Sequence, residues 1–191
     1  MKSVLVNSFF EGKVDQLFEV LVRLSALLDE AGVTYEIVGG MATYLQIDRI
    51  DPLEARLTRD VDICVRRDDL PRIAAFAANH GFQFRNAAGI DMLLDLHQPK
   101  ARSAVHFVFS GEKVRPAYLA PVPLLDRPDR IAGYCVAPVS HILQMKLTSH
   151  RPKDITHIQD LLHVGLVTPE IEATLPPELR QRLEAIKLLE R

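Results

Sequence analysis

Asp60-Val61-Asp62 and, twenty residues ahead of it, Val38-Gly39-Gly40 hold the residue types from which a metal-dependent phosphoryl-transfer site is built. In Asp60-Val61-Asp62-Ile63-Cys64-Val65, apolar residues alternate with Asp60, Asp62 and Cys64. That period belongs to a β-strand, which Val and Ile also favour. Residues i and i+2 of a strand share one face, about 6.5 Å apart, so the two carboxylates point the same way. Like charges so placed cost free energy unless a cation lies between them. Hard carboxylate oxygens suit Mg2+ or Mn2+, whose shells substrate phosphates complete. Solvated charges on an open strand face would produce the same pattern.

The glycines supply the other half of the chemistry. Thr34-Tyr35-Glu36-Ile37-Val38 is a short β-prone run, and Met41-Ala42-Thr43-Tyr44-Leu45-Gln46 reads as a helix start. A strand, a Gly-Gly bend and a helix N-terminus gather free backbone N–H groups and the positive end of the helix dipole at one spot. Without a Cβ, a phosphate can approach that backbone. An ordinary strand-to-helix turn has the same composition; joined to Asp60 and Asp62, the bend reads as a cradle in which Gly39, Gly40 and Thr43 bind the β- and γ-phosphates. Arg56 and Arg59 precede the acidic strand, where guanidinium groups can grip phosphate oxygens in pairs. Arg59, Lys153 and Asp154 read equally as weakly paired surface charges.

The positioning elements follow from periodicity. Val14, Leu17, Phe18, Leu21, Leu24 and Leu28 recur at helical spacing, so residues 12–31 form an amphipathic helix ending at Gly32, its stripe packed in the core. Asp68-Asp69-Leu70-Pro71 opens a helix that Asn79-His80-Gly81 stops. Two β-prone runs near 90–96 and 104–110 flank a hairpin connection at residues 98–102, and residues 132–137 close the sheet. From Pro138 the pattern is helical, with Pro152 either kinking the segment or opening a second helix, and Pro176-Pro177-Glu178 starting the last one. The expected fold is α/β (α+β): a core over residues 1–137 with a mixed sheet and flanking helices, then a helical segment over 138–191 packed on it. The Pro-rich stretch 116–128 is a rigid surface connection or a lid over the site.

These residues resemble the nucleotidyltransferase superfamily, the fold of polymerase-β-like enzymes, whose pattern is an apolar residue, Gly-Gly or Gly-Ser, a spacer and Asp-apolar-Asp/Glu. The closer resemblance is to its small bacterial branch of AbiEii-type toxins and related proteins. That branch's Gly-Gly-x-Ala and Arg-x-Thr/Ser-x-Asp-apolar-Asp blocks correspond to Gly39-Gly40-Met41-Ala42 and Arg56-Leu57-Thr58-Arg59-Asp60-Val61-Asp62. Lys146-Leu147-Thr148, Arg151-Pro152-Lys153-Asp154 and Asp160-Leu161-Leu162 resemble its helical Lys…Arg-x-Lys-Asp…Asp-Leu block. The resemblance spans roughly residues 30–165. It implies transfer of a nucleoside monophosphate from an NTP to an acceptor hydroxyl, with pyrophosphate leaving. Asp60 and Asp62 would hold Mg2+ (or Mn2+), and Lys146 and Lys153 would face the nucleotide. The acceptor would be a protein side chain, a tRNA end or a small molecule, and an antitoxin a partner in a toxin–antitoxin role.

One position departs from that pattern. Members with full chemistry carry a third carboxylate on a later strand, and in Ala104-Val105-His106-Phe107-Val108-Phe109 that place falls to His106. Imidazole is a poor Mg2+ ligand but a competent proton acceptor near neutral pH, so His106 becomes the candidate base, or else a structural histidine on a half-buried sheet. Asp91 or Asp95 would supply the carboxylate from across the hairpin. The departure keeps a second reading open: a catalytically degenerate domain that binds nucleotide or a partner and regulates. The remaining histidines, His150 and His157 included, show no ligand spacing.

Composition bounds these readings. With 191 residues the chain is long enough for an independent core. A net charge of −2 gives no global field toward nucleic acid or an anionic membrane. Two scattered cysteines exclude a C-x-x-C zinc site and suit a reducing interior. No signal peptide or membrane span is read, so the expected location is cytoplasmic.

Overall fold

The computed structural model describes residues 2–58, 60–97 and 104–189, with side chains from residue 14 onward. The chain opens with α1 (Lys2–Glu30), β1 (Glu36–Val38), α2 (Gly39–Asp48) and β2 (Val61–Val65). A 3-10 turn at Arg67–Asp69 leads into α3 (Leu70–Ala77), then β3 (Phe82–Ala87), β4 (Ile90–Asp95) and β5 (Val105–Phe109). After a long connection come β6 (Asp129–Ile131), β7 (Tyr134–Val136), α4 (Val139–Ser149), α5 (Pro152–His163), α6 (Pro169–Thr174) and α7 (Pro177–Leu188). The expected mixed α/β fold is the one observed, and among the described residues no helix is long and apolar enough to cross a membrane.

The sheet has seven strands in the order β3-β4-β5-β2-β1-β7-β6. β2 runs antiparallel to β1 and parallel to β5, and β1 runs parallel to β7. Val61, Ile63 and Val65 on one face of β2 are 3 %, 0 % and 0 % exposed, which fixes the strand's register because a one-residue slip would bury the Asp62 carboxylate in their place. The same pleat presents Asp62 on the opposite face.

α1 ends as the sequence predicts. Val33 N–H bonds to Leu28 O and Gly32 N–H to Asp29 O, closing a Schellman cap with Gly32 at φ +61°. Its start lies ten residues ahead of the expected boundary, at Lys2, because residues 2–11 contain neither Gly nor Pro and Gly12 is carried within the helix. β3 and β6 are not among the expected strands. Both join their neighbours through a two-residue Ala-Gly turn, Ala88-Gly89 and Ala132-Gly133, with positive φ at every position. That is the type I′ signature, hidden because Asn or Asp usually takes the first position. The expected strand at 132–137 therefore begins two residues later, after its turn. The hairpin connection at 98–102 lies outside the described residues. Pro152 opens α5 at its first turn and does not kink it.

The main hydrophobic cluster joins α1, α2, α3 and the sheet. A second cluster, Leu143, Leu147, Ile158, Leu175, Leu179, Leu183 and Ile186 with Ala120, binds α4, α5, α6 and α7 together. Ile63, fully buried at the centre of the sheet, is expected to cost about 2–5 kcal/mol when cut to Ala, through lost transfer energy and a residual cavity. Urea unfolding of Ile63→Ala measures this; a loss below about 1 kcal/mol would mean the strand is not packed as described.

Candidate active site

Register brings the two sequence motifs together. Val38, the last residue of β1, pairs with Asp62, and Asp62 pairs on its other side with His106. The chain leaves β1 straight into Gly39, which is the first residue of α2 rather than part of a loop before it. Gly39 has φ +68°, and a Cβ there would collide with Asp62 Oδ2 and lie 3.2 Å from its Cγ. A side chain at this position is excluded twice, by the backbone and by the aspartate.

The second glycine is covered by the same segment. A Cβ on Gly40 would lie 2.5 Å from Thr58 Oγ1 and 3.7 Å from His157 Cε1. Thr58 and Asp62, four residues apart, thus pack on successive glycines of one bend. Thr43 is buried, and its hydroxyl donates to Gly39 O at 2.9 Å. It braces the bend from within and does not face the cleft as the sequence reading expects.

Asp60 lies just ahead of β2, half-buried, its N–H near Thr58 Oγ1 at 3.4 Å. Burial raises the Asp62 carboxyl above the usual carboxylate range; Asp60 pushes the same way, while His106, Lys153 and Lys146 oppose it. Among the described residues Asp62 accepts no hydrogen bond, and His106 Nδ1 stands 3.7 Å from its Oδ1. No three His, Cys, Asp or Glu side chains converge into a metal-holding group among the described residues. The residues nevertheless fit Mg2+ or Mn2+ held by few protein oxygens, since the carboxylate left without a donor repels Asp60 and the rest of the shell would be phosphate and water. Cysteine takes no part: Cys64 and Cys135 are buried thiols.

The third carboxylate is not supplied across the hairpin. Met92 pairs with His106, so Asp91 and Asp95 point to the other face of the sheet. Asp95 is 3 % exposed and ion-paired with Arg23 at 2.8 Å; Asp91 accepts from Asn86 at 2.7 Å. His106 remains the group beside Asp62.

The C-terminal helices bring cations to this acidic face. Lys146 of α4 is 4 % exposed, and its Nζ stands 2.6 Å from His157 Nδ1 and 3.9 Å from Asp154 Oδ1. Burial pushes Lys146 down to about 8 against the pull of Asp154. Burial, reinforced by Lys146, pushes His157 down to about 4. Burial alone would raise Asp154, but hydrogen bonds from Arg151 and Ser149 outweigh it and hold the group low. Those bonds, Arg151 Nε at 2.8 Å and Ser149 Oγ at 2.7 Å, add to the Arg151 backbone N–H that Asp154 accepts at 3.2 Å as the N3 residue capping the start of α5. Lys153, next to Asp154 in the first turn of α5, is exposed. Arg59 lies outside the described residues. Arg56 does not reach the cleft; it binds Asp160 of α5 through both carboxylate oxygens at 3.0 and 2.8 Å.

A cavity of about 210 Å3 opens between sheet and helices, lined by Gly39, Asp62, Lys146 and Arg151 and, from the Pro-rich connection, Arg115 and Tyr118. That connection is strapped down by Val122 N–H to Glu112 O at 2.9 Å and Gln144 Nε2 to Pro121 O at 3.1 Å. It is a fixed wall. The sequence reading has Thr58 only as a position of the Arg56–Asp62 block, sets His157 aside for want of a ligand spacing, and passes over Tyr118, because a lone phenol carries no spacing signal of its own.

Two outcomes follow from this geometry. Gly39→Ala is expected to cost about 1–3 kcal/mol in denaturant unfolding, from strained backbone and displacement of Asp62; a neutral substitution would refute the close approach. Because Asp62 is raised on folding, its ionisation destabilises the native state as pH climbs from the unfolded carboxylate value of about 4 through the higher folded one. Asp62→Asn should therefore melt above the wild type at pH 7, the gap closing as pH falls below 4; equal melting temperatures at both pH values would contradict it.

No protein-family model and no curated protein sequence matches the chain. Solved structures do. The chain is similar to ANT(2")-Ia, solved in complex with adenylyl-2"-tobramycin, at 14 % identity and a TM-score of 0.53, over 87 % of this chain and 95 % of that one. It is also similar to an antigenic nucleotidyltransferase-like protein from Paracoccidioides brasiliensis at 20 % identity and a TM-score of 0.56, over 94 % and 90 % of the two chains. The fold that holds Asp62 against Gly39 is the nucleotidyltransferase-like fold.

Proposed function

We propose that this protein is a nucleotidyltransferase that moves a nucleoside monophosphate from an NTP to an acceptor hydroxyl, releasing pyrophosphate. The observation that carries the reading is the contact of Asp62 with the Gly39 bend, which joins a metal-seeking carboxylate to a helix N-terminus with open backbone donors. Gly39 and Gly40 would take the β- and γ-phosphates, and Lys146 and Lys153 would offset their charge. Asp60 and Asp62 would hold Mg2+ or Mn2+, which when bound supplies electrophilic stabilisation of the transferring phosphoryl group. Thr43 holds the bend in shape. His106, 3.7 Å from Asp62, would accept the acceptor's proton as the new P–O bond forms and the bond to pyrophosphate breaks.

For the acceptor, the cavity wall sets limits. Lys146, Arg115 and Arg151 make it cationic, and its acids are Asp62 and the already hydrogen-bonded Asp154. A neutral or anionic acceptor, whether a small molecule, a tRNA end or a protein side chain, suits this wall better than a cationic one. A toxin role of the AbiEii type, with an antitoxin partner, is the biological setting this chemistry and the sequence motifs would fit. His106 in place of a carboxylate favours one rival, a nucleotide-binding domain without turnover.

Labelled NTPs with Mg2+ or Mn2+ and a panel of acceptors decide between them. Pyrophosphate release falling at least about a hundredfold in Asp62→Asn is expected. Nucleotide binding with no turnover on any acceptor would favour the rival.

A further inference from the structure

His157 is half-buried beside the buried Lys146 yet has no part in the reading above. We propose that it is a phosphate-binding residue: Lys146 fixes its tautomer, and its Nε2–H donates to a phosphate oxygen lodged at the Gly39–Gly40 bend. The inference rests on the nucleotidyltransferase reading and adds a residue to it.

The argument begins with donors and acceptors. A lysine ammonium can only donate, so the 2.6 Å contact from Lys146 Nζ makes His157 Nδ1 the acceptor. A neutral imidazole accepting at Nδ1 carries its proton on Nε2. Asp154 does not compete for the role. It stands 3.9 Å from Lys146, and its oxygens take hydrogen bonds from Arg151 and Ser149. Among the described residues, His157 Nδ1 is the acceptor within hydrogen-bond distance of Lys146.

Position supplies the rest. Asp154 and His157 sit three residues apart on α5, hence on one face, and that face meets Lys146 of α4. The ring also meets α2: Cε1, bonded to both ring nitrogens, lies 3.7 Å from where a Cβ of Gly40 would be. The imidazole thus neighbours both the buried cation and the second residue of α2. Nε2–H has no partner among the described residues, so it is available to an oxygen seated on the bend. Lys146 then acts on the phosphate in two ways, by its charge and by holding the ring that donates.

Binding of inorganic pyrophosphate and ATP to the full chain in Mg2+ tests this by calorimetry. Gln at 157 keeps a donor near the Nε2 position, and Leu removes it. The dissociation constant for pyrophosphate should rise about tenfold in His157→Leu and stay within about threefold in His157→Gln, with KM for the NTP following the same order. A merely structural histidine would not be rescued by Gln. On the wild type, 15N NMR of the imidazole should show the Nε2 resonance shifting on saturation with pyrophosphate, a readout that stands if His157→Leu fails to fold. An unmoved Nε2 resonance, or wild-type affinity in a folded His157→Leu, overturns the inference while the nucleotidyltransferase reading stands. A wild type that binds neither pyrophosphate nor ATP overturns both.

Discussion

The chain turns from β1 into α2 at a residue that can have no side chain, because Asp62 of the adjacent strand occupies the space. Most of the candidate site follows from this contact. The antiparallel register of β1 on β2 places Val38 beside Asp62, so the following residue must pass directly over the carboxylate. Only a glycine at positive φ meets both demands at once. Thr58 extends the arrangement by packing on Gly40. The hydrophobic face of β2, completely enclosed, holds the register that makes the polar face possible.

That polar face is costly to the fold by itself. Asp62 is half-buried without a hydrogen bond among the described residues, beside Asp60, and its carboxyl is raised by burial. Relief comes from His106 on β5 and, from the other half of the chain, from Lys153 and Lys146 near the α4–α5 junction. The sheet carries the acids and the C-terminal helices carry the bases, and the cleft lies where they meet. Asp154 organises the basic side: it caps α5, holds Arg151 and Ser149, and leaves Lys146 to His157. Arg56 on Asp160 ties the loop before β2 to the same helix.

Much of this was legible in the sequence, for physical reasons that differ by element. The β2 strand was readable because its alternation is strict, and the Gly-Gly bend because glycine at a strand end has few other uses. α1, α4, α5 and α7 follow from apolar periodicity. β3 and β6 were not legible: β3 is an edge strand with polar residues at three of its six positions, β6 is three residues long, and both turns lack the Asn or Asp that marks type I′ geometry. Thr43 misled because a hydroxyl at a helix start reads as a ligand contact, while back-bonding to Gly39 O is equally open to it. His157 was missed for the opposite reason. Its meaning depends on Lys146 and Gly40, which only the packing of α5 on α4 and α2 brings to it.

The central claim is that the glycine bend and Asp62 form one nucleotide cleft. A crystal structure with a non-hydrolysable NTP analogue and Mg2+ tests it most directly. The account predicts β- and γ-phosphate oxygens on the backbone N–H groups of Gly39 and Gly40, with the metal on Asp62 and Asp60. An analogue seated elsewhere on the protein, or a metal bound away from Asp62, would contradict it.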